Sequence, residues 1–494
     1  MNSAYEQILV STVNWTLFTF SQVFFNSVIP DHDADAFQPP CGGGGATLGD
    51  RIIDALLGGF RRWDALYFLH VAERGYTFEN CLAFLPLFPL TAASLARAAL
   101  AAAPASFLAL SSLVLVSSTA LNVVYFVVSA VFLSHLGRLA TGSTEVACVA
   151  TMLYCFNPAS VFFSAAYSES MFAAATFCGL ILCEKDQLFA ASVVFGLGAG
   201  TRANGVVSAG FVVYFRLRRT LASLPRRRGV VETSLRVTAA TTSAAAYACI
   251  CVAPFLAYQY YAYGVFCARP APPPPPDLLE FGRANGYVVA GDGRRPLWCD
   301  APLPLSYSHV QREYWDVGFL RYYRAKQIPN FVLAAPALYL CGRAVASYVR
   351  RRWEHASCLG FRQAAPRRRD AGFYADGCFV YVAHCATLLF TCAAFAHVQV
   401  STRLLCSSSP VIYWYCAQLL CDTSSSSSSS SSSAAGRRWR WDEGLSGKEN
   451  ATGFVLGLLE RWRTLDAGKR FVVLYFISYF VVGIAMHCNF LPWT

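Results

Sequence analysis

Apolar stretches recur along the whole chain, around residues 8–29, 82–103, 107–134, 145–164, 170–183, 189–215, 236–263, 330–348, 374–396, 404–420 and 471–487. Most approach the ~20 residues that a helix needs to cross a bilayer. Backbone polar groups in lipid have to be satisfied within their own segment, so the pattern predicts an all-α polytopic membrane protein with about eleven spans. Two stretches are less regular. The run 170–183 is short enough to be re-entrant, and 82–103 contains Pro86, Pro89 and Arg97 and suits the membrane interface.

Polar and low-complexity segments divide the chain into three parts. Residues 1–263 form an amino-terminal module whose first loop is 30–81. Residues 264–329 form a large loop with the stiff spacer "RPAPPPPPD" (269–277). Residues 330–494 form a carboxyl-terminal module with a Ser-rich loop, 422–469, expected to be disordered. Basic runs set the orientation. "RLRRTLASLPRRR" (216–228), "RRRWEH" with "RRRD" (350–370) and "RRWRWDE" (437–443) belong on the cytosolic side. Residues 30–81, 264–329, 397–403 and the carboxyl terminus then face the lumen. The same count puts Glu169 near the cytosolic end of its helix and Arg202 in mid-span.

Composition sharpens this picture. The 494 residues are 55% hydrophobic and 14% charged, against about 25% charged in soluble domains. Mean hydropathy is +0.40. The net charge of +11 comes from arginines lying between apolar segments. They read as topology signals, and nucleic-acid binding is not expected. No CxxC pair occurs among the 19 cysteines. Cys41 with Cys81, and Cys267 with Cys299, would bridge in an oxidising lumen; free thiols are an equal reading. The sequons at Asn14 and Asn450 fall in a predicted helix and a cytosolic loop, so both are expected to stay unglycosylated.

Charges inside apolar sequence cost ~2.5–3.5 kcal/mol at a helix centre, and those retained mark candidate chemistry. They are Asp64 in "RRWD", Glu169 in "FNPASVFFSAAYSESMF", Arg202 and Asn204 in "GLGAGTRANG", and His397 and Arg403 in "HVQVSTRLLCSSSP". Each has a plainer reading. Asp64 would cap the helix "DALYFLHVAERG", Glu169 would cap a helix from Met171, and the arginines would snorkel. "GLGAG" (196–200) lacks the strand and acidic residue of a nucleotide fingerprint. If the outliers converge, one carboxylate with several guanidiniums suits attack of a hydroxyl on a sugar carbon with a phosphate leaving. The carboxylate would take the proton and the arginines would stabilise the phosphate. A transporter or lipid scramblase, with Glu169 and Arg202 lining a path, is the competing class. A non-catalytic subunit is a third.

"RRWDALYFLHVAERGYTFENCLAFLPLFPL" (61–90), "FNPASVFFSAAYSESMFA" (156–173), "TRANG" (201–205), "YWDVGFLRYYRAKQIPNFVLAAP" (314–336) and "NFLPWT" (489–494) together resemble the GPI mannosyltransferase 2, or phosphatidylinositol-glycan class V, family. The resemblance implies a GT-C type glycosyltransferase of the endoplasmic reticulum membrane with its active site in the first luminal loop. It implies transfer of the second mannose, α-1,6-linked, from dolichol-phosphate-mannose to the lipid-linked GPI precursor, with no cofactor and no metal. Asp64, after Trp63, matches the catalytic position. Trp63, Glu169, Arg202, Asn204, Trp315, Gln327, His397 and Arg403 are the implied substrate-site residues. Another dolichol-phosphate-sugar-dependent transferase is the nearest alternative, and a small accessory membrane subunit is compatible with either.

Overall fold

The computed structural model describes the chain except residues 1, 35, 41–46, 103–107, 224–229, 269–271, 273, 362–370, 423–461 and 494. The serine run, the "RRWRWDE" segment, Cys41, Asn450 and residues 269–271 and 273 of the Pro-rich spacer lie outside the described residues. What is described is helical, and its one β-type pairing is an isolated bridge between Phe78 and Val289.

Nineteen α-helices follow in chain order among the described residues. The first five are α1 (Asn2–Val28), α2 (Leu48–Leu57), α3 (Asp64–Arg74), α4 (Leu87–Ala102) and α5 (Leu110–Thr141). Next come α6 (Thr144–Cys155), α7 (Ser160–Ser164), α8 (Glu169–Glu184), α9 (Leu188–Thr201), α10 (Ala209–Ala222) and α11 (Val230–Tyr263). The remainder are α12 (Pro276–Ala284), α13 (Ser306–Trp315), α14 (Ile328–Arg351), α15 (Trp353–Ser357), α16 (Phe379–Ala394), α17 (Ser401–Ser408), α18 (Val411–Cys421) and α19 (Ala467–Cys488). Five described segments are long and apolar enough to cross a membrane: Leu110–Thr141, Val230–Ala268, Ala325–Arg351, Asp376–Ala394 and Ala467–Cys488. The pair α17–α18, bent by 75°, makes six if it counts as one span. The protein is thus a polytopic helical membrane protein.

Long-range contacts sort the helix termini into two ends. At one end Gly372 donates to the Thr141 carbonyl, Tyr348 to that of Ala375, and Tyr381 to Glu184. The basic stretches around 216–223 and 350–361 belong to this end. At the other end meet α3, the 156–169 turn, the 201–208 turn, α13 and the 394–403 turn. Asn122 of α5 donates to the Tyr167 carbonyl there. Asn122 and Thr141 are 19 positions apart on one helix, about 28 Å at 1.5 Å per residue. That is close to one hydrocarbon thickness.

Three segments differ from the sequence reading. Ala109 at the start of α5 donates to Asp50 at 2.9 Å, so residues 82–109 begin and finish at the α3 end. With prolines at its start, α4 reaches only 16 residues. The stretch 189–215 is not one span, because α9 stops at Thr201 and α10 starts at Ala209. The polar "RAN" cannot stay inside lipid, and Gly205 permits the turn: a Cβ there would lie 2.7 Å from the Ala199 nitrogen. As a result α8 begins, rather than ends, at the α3 end. Glu169 therefore does not sit at the basic end, and Arg202 is not in mid-span.

A second apolar cluster covers the α3 end. Phe37, Tyr76 and Phe78 of the first loop pack with Leu278, Trp298 and Val310 of the large loop. Cys267 and Cys299 form a disulfide across that loop, whereas Cys81 is a buried free thiol. Buried Glu79 ties the two loops together. It accepts from Trp298 Nε1 and from the Tyr314 hydroxyl, each at 2.7 Å. Asn14 is buried in α1 and its amide donates to the Cys155 carbonyl.

Candidate active site

Asp64 is the first residue of α3, so it does not cap the helix; Trp63 holds that position, with no side-chain capping bond. Trp63 sits at φ 54, in the left-handed region that a bulky side chain rarely adopts. The backbone turns sharply there and α3 starts in a new direction. Tyr167 pins this turn: its hydroxyl accepts from the Asp64 N–H at 3.2 Å and donates to the Arg62 carbonyl at 3.3 Å. Arg62 in turn reaches the carboxyl terminus. Its Nε donates to the Cys488 carbonyl at 2.9 Å, and its guanidinium lies over the Phe490 ring at 4.7 Å. The Trp63 ring meets Phe490 edge-on at 5.8 Å.

The Asp64 carboxylate points to α17. Arg403 Nη2 donates to Asp64 Oδ2 at 2.7 Å. Asp64 Oδ1 accepts no hydrogen bond from a described residue, and the side chain is 28% exposed. Arg403 Nη1 lies 3.7 Å from Glu169 Oε1, and its guanidinium sits over the rings of Phe162 (5.1 Å) and Tyr167 (5.5 Å). Glu169 opens α8 and is fully buried; its Oε1 pairs with Arg202 Nη1 at 2.5 Å. Arg202 also donates to the Ser168 hydroxyl at 3.3 Å. Two carboxylates and two guanidiniums from four separate segments thus form one continuous chain: Arg202, Glu169, Arg403, Asp64. Their formal charges cancel, which is how such a group persists in apolar surroundings.

The other expected residues fall into neighbouring positions. Asn204 donates to the Ser408 hydroxyl at 2.9 Å and so joins the 202–208 turn to α17. Trp315 packs edge-on against Tyr67 (5.9 Å) and Phe84 (6.0 Å), and Tyr67 is one turn beyond Asp64 on α3. Burial pushes the Tyr67 phenol up, with the Asp64 charge contributing. Gln327 and His397 belong to an adjoining group. Gln327 accepts from the Tyr322 hydroxyl at 2.8 Å and from Asn330 at 2.6 Å. The His397 ring lies 4.4 Å from that of Tyr322, and burial pushes its imidazole down. Neither residue touches the acid–arginine chain.

Several supporting residues escaped the sequence reading. Tyr167 and Phe162 sit in an apolar run and carry no charge to mark them. Buried His487 is stacked on Phe162 at 5.6 Å and meets Tyr167 edge-on at 5.5 Å. Asn122 was legible as an isolated amide in an apolar helix, and Glu79 as an acid within "FENCL". Tyr307 of α13 lies within electrostatic range of both Arg202 and Arg403. Among the described residues no three His, Cys, Asp or Glu side chains are placed to share a metal ion.

A polytopic helical membrane protein with an acid–arginine centre at one end of its bundle is the class that fold and site define. The family model described as "Mannosyltransferase (PIG-V)" matches residues 7–494. A Cricetulus griseus protein called GPI alpha-1,6-mannosyltransferase 2 is 37% identical, covering 100% of this chain and 99% of its own length. The Homo sapiens protein of that name is 36% identical, covering 99% and 98%. The Drosophila melanogaster GPI mannosyltransferase 2 is 33% identical, covering 80% and 87%. The chain belongs to the PIG-V mannosyltransferase family and is a glycosyltransferase.

Proposed function

We propose that the chain transfers an α-1,6-linked mannose, the second of the series, from dolichol-phosphate-mannose to the first mannose of the lipid-linked GPI precursor. The reaction is an inverting single displacement on the luminal side of the endoplasmic reticulum membrane, and no cofactor or metal takes part. One observation carries the mechanism. Arg403 occupies Asp64 Oδ2, Oδ1 accepts no hydrogen bond from a described residue, and the side chain is partly exposed. A carboxylate held by one oxygen and free at the other can accept a proton from an incoming hydroxyl. The 6-hydroxyl oxygen bonds to C1 of the donor mannose as its proton passes to Asp64. The bond from C1 to the phosphate oxygen breaks, and its electron pair leaves with dolichyl phosphate. A phosphate is a weak base, so no general acid is required; nearby guanidiniums balance its growing charge.

The luminal assignment rests on two supports. The described basic stretches, 216–223 and 350–361, lie at the end opposite Asp64, and the Cys267–Cys299 disulfide belongs to an oxidising compartment. We infer eleven passages between the ends, made by α1, α5, α6–α7, α8, α9, α10, α11, α14, α16, α17–α18 and α19. The number equals the sequence count, but 82–103 leaves the set and 189–215 contributes two.

The test is transfer by the purified full chain, with dolichol-phosphate-mannose as donor and a one-mannose glucosaminyl-inositol lipid as acceptor. The expected product carries two mannoses and is cleaved by an α-1,6-specific mannosidase. Transfer only to some other lipid-linked acceptor would refute this specificity.

A further inference from the structure

We propose that Arg403 is a charge-following catalytic residue: it holds Asp64 while the base is ionised and passes to the departing phosphate once Asp64 takes the proton. This deepens the proposed function and rests on Asp64 acting as the base.

The two arginines of the centre are held differently. Arg202 is fixed, at 2.5 Å from a fully buried carboxylate and 3.3 Å from the Ser168 hydroxyl. Arg403 has one short contact, to Asp64 at 2.7 Å; its distance to Glu169 is 3.7 Å, beyond a hydrogen bond. Its guanidinium lies over two aromatic rings, which hold a cation without fixing its direction. Its side chain is only 13% exposed, so water replaces a lost partner only in part. A buried cation without a partner is strongly disfavoured. Neutralising Asp64 leaves Arg403 with only Glu169, 3.7 Å away and already paired with Arg202, and so frees its Nη2 for a closer anion.

The reaction supplies that anion in the same step. The hydroxyl proton takes Asp64 from −1 to 0. Cleavage of the C1–O bond turns the phosphodiester, at −1, into a phosphomonoester, which gains one negative charge. The charge lost at Asp64 reappears on the phosphate, and Arg403 moves with it. The donor thus meets an arginine engaged by the base, and the product meets one that is free.

The experiment measures binding of dolichyl phosphate to the full chain in phosphatidylcholine nanodiscs. Asp64→Asn mimics the neutral base and is expected to bind dolichyl phosphate about tenfold more tightly than wild type, the size of one added charge-assisted hydrogen bond. Asp64→Ala provides the same loss of charge in a second background, and Asp64→Glu keeps the charge and gives no gain. Adding Arg403→Gln to Asp64→Asn abolishes the gain. Equal or weaker binding by both neutral variants overturns the proposal, as does a gain that survives removal of Arg403. Failure of the underlying reading looks different: Asp64→Asn would still transfer mannose. An inert Asp64→Asn with unchanged phosphate affinity retains the base and removes the coupling.

Discussion

Glu169 is the residue on which the structure makes its sharpest energetic demand. It is fully buried, 2.5 Å from Arg202 and 3.7 Å from Arg403. Glu169→Gln keeps the shape and removes the charge, leaving Arg202 to face an amide. Breaking a buried ion pair by removing one partner costs ~3–5 kcal/mol. The Arg202 side chain is 16% exposed and retains the Ser168 hydroxyl, which places the cost near ~3 kcal/mol. Removing Arg202 as well relieves the orphaned charge. The double variant Glu169→Gln/Arg202→Met should then be less destabilised than the sum of the singles by at least ~1 kcal/mol, as expected for residues in direct contact. Equilibrium unfolding by SDS in mixed micelles reads all four proteins. A Glu169→Gln variant within ~0.5 kcal/mol of wild type, the range of ordinary surface changes, would refute the reasoning. So would strict additivity.

Three further outcomes follow from the same geometry. His70 is buried against Phe78 and is pushed down to about 4 by burial and the neighbouring Arg74. Unfolded chains take up this proton near pH 6.5, so stability should fall as pH drops from 6.5 to 4, by about 3 kcal/mol in all; His70→Phe should flatten the stability–pH curve, and an unchanged slope would contradict the assignment. Trp298→Phe removes a donor at 2.7 Å from buried Glu79 and should cost ~1.5–3 kcal/mol, with residues 264–329 cut faster by protease. Gly205→Ala puts a Cβ 2.7 Å from the α9 backbone and should displace the turn bearing Arg202 and Asn204, lowering kcat/KM on the order of 10²-fold with the protein still folded.

The sequence carried the membrane character and the two-ended arrangement, because hydropathy and arginine placement are read residue by residue. It also carried the four charged members of the centre, since each stands out from apolar surroundings. It did not carry their geometry. A window of hydropathy cannot separate one span over 189–215 from two helices of 14 residues joined by "RANGVVS", although the polar "RAN" was the physical boundary. That boundary, together with the loss of 82–103 as a span, reverses α8 and brings Glu169 to Asp64. The turn at Trp63 was equally hidden, because nothing in "RRWD" marks a tryptophan for positive φ. Tyr167 was invisible for a different reason: its hydroxyl acts on backbone 103 residues earlier, a contact no local pattern encodes. Gln327, from motif matching, and His397, a polar outlier at a helix edge, fall in a separate polar group beside the centre.

The central claim is that Asp64 removes the proton from the attacking hydroxyl. Its most direct test is mannose transfer by purified Asp64→Asn, compared with wild type at saturating donor and acceptor and with matched unfolding midpoints. The expected result is a folded protein whose kcat falls by at least ~10²-fold, the lower range for loss of a general base. Transfer within a few-fold of wild type would contradict it.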